Sequence, residues 1–143
     1  MTTTEQLTLV FYNNFVAYYR SHAAHVNVTG RTFRSDHKML GGVYERRQAE
    51  IDKIAEILRT MQEFMPNSLV DIIDNSTIPM DAIEGSADEL LEAVMMDLEH
   101  LLSDFKELIV IASAEDLEEV SNYAQDQALD IEKSIWMLRS TLE

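Results

Sequence analysis

The chain has no cysteine, so no disulfide framework holds it together. Glycine and proline are scarce, four and two in 143 residues, which leaves room for long uninterrupted elements. No apolar run approaches the roughly 18 residues that a membrane-spanning helix needs. The opening MTTTEQLTLV lacks the basic start and small-residue cleavage site of a signal peptide, so a cytoplasmic location is the default expectation. Basic residues are nearly missing from the second part of the chain. Residues 61–143 hold 3 Lys+Arg against 20 Asp+Glu, a balance of −17, whereas residues 1–60 hold 8 against 6, a balance of +2. Such acidity repels phosphate backbones and makes DNA an unexpected partner. It would attract cations, although an acidic soluble surface has the same composition.

What is present is a core and a helical period. Apolar residues make up 46% of the chain, enough for one core, and the length suits a single domain over 1–143. Leu7, Phe11, Phe15 and Tyr18 form a stripe at steps of three and four that His22 and His25 continue, which is one face of a helix. Asn27 to Gly30 interrupts it with turn residues. A second stripe runs Phe33, His37, Leu40, Tyr44, Ile51, Ala55 and Leu58 and ends near Pro66. Asn67 to Asn75 reads as one short helix within a connection. Ser86 and Glu89 have the spacing of a capping box and open a third long helix to about Ala112. Ser113 and Asp116 repeat that signal more weakly before a fourth, with Leu117, Val120, Ala124, Leu129, Ile131, Ile135 and Leu138 among its apolar positions. The eight methionines are expected to be core filler, and Trp136 to serve in packing. The pattern implies an all-α protein: a ferritin-like four-helix bundle, with a short helix in the crossover between long helices two and three.

Four residues combine the chemistry of a metal site: His25, His37, Asp52 and Glu56. Imidazole with carboxylate suits iron, zinc or manganese. Asp52 and Glu56 are four apart and share a helical face, which is also the pattern of a plain solvated face. His25 and His37 sit on the core stripes of two helices joined by a tight turn, so they can converge. A histidine there is also a common hydrogen-bonded core residue. His37 and Asp52 are separated by about 22 Å of straight helix at 1.5 Å per residue. A site using all four would need Asp52 and Glu56 from a second copy, and two-fold pairing would build two such sites. Asp97 with His100 reads as a solvated face, and His22 as packing beside His25.

The segment HxxHVNVTGxxFxxxHxxLxxxYxxxxxxIDxIAE, from His22 to Glu56, and the tail EKSIWMLRSTLE, from Glu132 to Glu143, resemble the Dps-type mini-ferritins of the ferritin-like superfamily. The resemblance covers essentially the whole chain. It implies a hollow homododecamer that binds iron, with other divalent metals as alternatives, and oxidises Fe²⁺ with hydrogen peroxide or oxygen. It also implies a ferroxidase centre shared between subunits by His25, His37, Asp52 and Glu56, and ferric storage that limits oxidative damage. The same resemblance makes Glu115, Asp116, Glu118 and Glu119 the lining of an acidic pore; negative charge at a helix start also has a purely structural use. Two positions depart from the family. Gly41 stands where an acidic ligand is usual, with Glu45 one turn on as a substitute candidate, and Val26 stands where tryptophan is usual. The missing acid motivates an alternative, a catalytically weakened shell that is structural or sequesters metal. It also suggests that an acid restored at 41 would tighten iron binding.

Overall fold

The computed structural model covers all 143 residues and contains five helices: α1 (Thr3–Asn27), α2 (Phe33–Thr60), α3 (Leu69–Asn75), α4 (Ala87–Ala114) and α5 (Glu118–Leu142). The apolar stripes account for the packing. α1 and α2 form one helical hairpin, α4 and α5 a second, and α1 joins the two by packing on α4. α3 lies in the crossover between α2 and α4 and rests on α1. One cluster of 28 buried apolar residues runs through the bundle, from Leu7 and Phe11 to Leu101, Phe105 and Leu138. No helix is long and apolar enough to cross a membrane.

Buried polar groups set the register. Thr3 meets Glu115, Asn13 Nδ2 donates to Asp104 at 2.6 Å, and Arg20 Nε donates to Asp97 at 2.7 Å. Numbers rise along α1 as they fall along α4, so the two helices are antiparallel. Burial pushes the Asp97 carboxyl above its ordinary range, with the Arg20 bond opposing. Asp97 is 4% exposed, which overturns the reading of this residue as part of a solvated face: Arg20, 77 residues away in sequence, neutralises it in the interior. His100 Nε2 instead meets the Thr77 hydroxyl at 2.7 Å, and helps Asn13 fasten the crossover to the bundle. The buried Arg47 bonds Asn14, Gln127 and Asp130 and so ties α1, α2 and α5 together.

Helix ends follow local chemistry. The Ser86–Glu89 capping box opens α4, and a second box, Thr2 with Glu5, opens α1. Ser113 and Asp116 do not cap α5, contrary to the spacing. α4 runs through Ser113, whose hydroxyl pairs with that of Ser121 at 2.9 Å. Asp116 adopts φ +60°, and its N–H reaches back to Ser113 while that of Leu117 reaches Ala112. Those two bonds are the Schellman arrangement that satisfies orphan carbonyls. Gln62, at φ +66°, ends α2 in the same way, with Gln62 bonded to Arg59 and Glu63 to Leu58.

The expected core filler is elsewhere. None of the eight methionines is buried; Trp136 is 58% exposed and Leu129 71%. The core is built from Leu, Ile, Val, Ala, Phe and one Tyr, whose fixed shapes fill the bundle and leave the unbranched thioethers to its surface.

Candidate metal centre

The turn between α1 and α2 brings His25 and His37 face to face. Their rings stack at 3.8 Å between centroids and 16° between planes. His25 Nδ1 lies 2.6 Å from the His37 carbonyl, and His37 Nδ1 lies 2.7 Å from the His25 carbonyl. A carbonyl only accepts, so each Nδ1 carries the proton and donates. In a neutral ring that leaves the Nε2 lone pair of each imidazole free for a metal. His25 sits in the last turn of α1, so the bond from His37 also satisfies a helix-end carbonyl that lacks an intrahelical partner.

Gly41 explains how His25 gets so close to α2. A Cβ at position 41 would lie 3.0 Å from His25 Cε1 and 3.2 Å from Nδ1. Residue 41 is one turn beyond His37, so its bare Cα is the lane through which the imidazole reaches the His37 carbonyl. The glycine that reads in sequence as a missing ligand is occupied by a candidate ligand's ring.

Asp52 and Glu56 are exposed, although Ile54, Ala55 and Leu58 on the same stretch of α2 are buried. α2 is continuous from His37 through Glu56, so Asp52 lies about 22 Å and Glu56 about 28 Å of helix rise from His37. No three His, Asp or Glu side chains of one chain converge on a metal position. Glu45 is exposed and lies about 12 Å of helix rise from His37. It belongs to neither cluster. Tyr123 donates its hydroxyl to Glu50 at 2.6 Å, which anchors this part of α2 to α5; burial raises that phenol's pKa strongly, and Glu50 adds to it. The carboxylate stretch therefore lies toward the end of the bundle where α5 begins. Glu115, Asp116, Glu118 and Glu119 are exposed at that same end. Glu115 is already engaged: the Thr3 hydroxyl and N–H both donate to its Oε1 and hold its carboxyl below the ordinary range.

Sequence reasoning passed over an aromatic run beside the histidines. Tyr44 stacks on His22 at 3.9 Å with parallel planes and lies 5.0 Å from His25. Tyr18 places its hydroxyl 3.2 Å from His22 Nδ1. All of these residues lie on the two stripes, which was the available signal.

Residues 4–143 match the ferritin-like domain family. The chain is 28% identical over 143 residues to a protein of Helicobacter pylori named DNA protection during starvation protein, covering 99% of each. Its structure superposes on Helicobacter cinaedi CAIP at a TM-score of 0.93 and 29% identity, covering 99% of this chain and all of that one. It matches a Dps protein from Bacillus brevis equally well, at a TM-score of 0.93 and 25% identity, covering 99% of this chain and 95% of the other. The chain belongs to the ferritin-like domain family and is a mini-ferritin of the Dps type.

Proposed function

We propose that the protein takes up Fe²⁺ as substrate at sites shared between two copies, oxidises it with hydrogen peroxide or oxygen, and stores the ferric product in a closed shell of about twelve subunits. The observation that carries this is the reciprocal bonding of His25 and His37. It fixes both tautomers with Nε2 free, so two stacked imidazoles each keep a lone pair for a metal. Asp52 and Glu56 supply hard, anionic oxygen donors on an exposed face. Their distance along α2 supports a site completed by a second copy rather than one within a chain. In the reaction, two Fe²⁺ give one electron each, the O–O bond of peroxide breaks, and two protons convert it to water. The protein's own residues hold the two iron ions close together and admit peroxide between copies. Removing iron and peroxide together protects DNA without touching it, in keeping with a balance of −17 over residues 61–143.

Light scattering coupled to size exclusion tests the assembly, and anaerobic Fe²⁺ loading followed by peroxide tests the chemistry. The expected results are a species near twelve subunits and rapid loss of Fe²⁺. A stable monomer at micromolar concentration would sink both the shell and the shared site.

A further inference from the structure

The rings around the candidate centre form one unbroken series: His37, His25, Tyr44, His22 and Tyr18. Successive centroids lie 3.8, 5.0, 3.9 and 5.6 Å apart. All five residues are half-buried. The series starts at the candidate ligands and ends at a phenol whose hydroxyl lies 3.2 Å from an imidazole nitrogen. In the tautomer with the proton on His22 Nε2, Tyr18 donates to Nδ1. A phenol so placed can give up its electron and pass its proton along an existing hydrogen bond, which avoids forming a charged phenol radical. Packing alone does not call for this. A phenylalanine at 18 would keep the ring contacts to Phe15, Tyr44 and His22, and would lose only the hydroxyl that meets His22 Nδ1.

We infer that Tyr18, with His22 as its proton acceptor and Tyr44 as the intervening ring, is a one-electron donor to the iron site. This rests on the proposed iron chemistry. Its use is the half-filled site. Peroxide takes two electrons, a single Fe²⁺ supplies one, and the shortfall otherwise releases a hydroxyl radical. Here the O–O bond breaks with one electron from Fe²⁺ and one from Tyr18. The Tyr18 O–H proton moves to His22 Nδ1, two protons from solvent complete two waters, and the products are Fe³⁺, a Tyr18 phenoxyl radical and His22 imidazolium. A second Fe²⁺ then returns an electron to Tyr18, His22 returns the proton, and the total is again two Fe²⁺ per peroxide.

The test is rapid-freeze electron paramagnetic resonance on the intact assembly, loaded anaerobically with one Fe²⁺ per site and mixed with peroxide. Iron oxidation is followed in parallel. The wild type is expected to give a tyrosyl signal that Tyr18→Phe largely abolishes. Tyr44→Phe and His22→Phe should diminish it. Tyr19→Phe, which removes the exposed neighbouring phenol, should leave it unchanged. Hydroxyl radical caught by a spin trap should rise in Tyr18→Phe. Iron oxidised normally with no tyrosyl signal, or a signal indifferent to Tyr18→Phe, overturns the relay and leaves the iron chemistry standing. Iron left unoxidised by the wild type overturns the proposed function itself, and the relay with it.

Discussion

Gly41 lies against the imidazole of His25, so closely that a Cβ would sit 3.0 Å from Cε1. The ring cannot easily give way, because it stacks on His37 and its Nδ1 is bonded to the His37 carbonyl. Gly41→Ala should therefore displace His25 and weaken Fe²⁺ binding in anaerobic calorimetric titration. Stability should change little, since about 1 kcal/mol gained in helix propensity opposes the crowding. Gly41→Asp should weaken binding too. That reverses the expectation drawn from the family pattern, in which an acid at 41 is a ligand. Tighter binding by Gly41→Asp would show that the ring moves aside at little cost.

The division of the candidate site along α2 yields a complementation experiment. His37→Ala and Asp52→Ala should each slow peroxide-driven iron oxidation by at least the roughly 10- to 100-fold that losing a mere partner of a metal-holding group costs. Co-expressed, the two variants should recover part of the activity. One shared site of a hybrid dimer then contains neither lesion, while the other contains both. Hybrids no faster than either variant alone would count against a site built from two chains.

Acid titration should expose Asp104. Burial holds its carboxyl above the ordinary range, with the bond from Asn13 and the charge of His100 opposing. Folding therefore favours the protonated form. The stability this group contributes is complete below the unfolded value of about 3.9 and is lost as pH rises from there through the raised folded value. Urea midpoints for wild type and Asp104→Asn, measured across that window, should show the wild type losing ground as pH increases. A difference independent of pH would refute the assignment.

Gln62 ends α2 at φ +66° without being glycine. Left-handed backbone costs an ordinary L-residue about 1–2 kcal/mol, and the Schellman bonds are made by the backbone alone. Gln62→Gly should raise stability by about 1 kcal/mol, offset partly by glycine's greater freedom when unfolded. Asp116→Gly should gain less, because aspartate visits this region more readily. Equal midpoints for Gln62→Gly and wild type would mean that the glutamine side chain contributes more than its exposure suggests.

Much of the bundle was legible because its signals are local. Spacings of three and four gave all four long helices, and Ser86 with Glu89 marked the start of α4. Two helix ends were not legible, since Gln62 and Asp116 adopt a backbone that sequence readers expect of glycine. Asp97 was misjudged because burial of an acid depends on Arg20, and nothing local connects residues 77 apart. At the candidate site, the convergence of His25 and His37 follows from two stripes and one short turn. The meaning of Gly41 does not. It depends on a ring arriving from another helix, and in a single line of residues a space left for a neighbour looks the same as a missing ligand.

The interior holds no sulfur. No cysteine exists, and the eight methionines lie outside the fully buried set, with Met39, Met61 and Met95 reaching only its margin. Conversion of a thioether to its sulfoxide turns an apolar side chain polar, a change that ruins a core built around it. In this fold the oxidisable sulfur atoms are a weathering skin. Peroxide can etch them one by one while the hydrocarbon heart of the bundle, inert to it, keeps its shape.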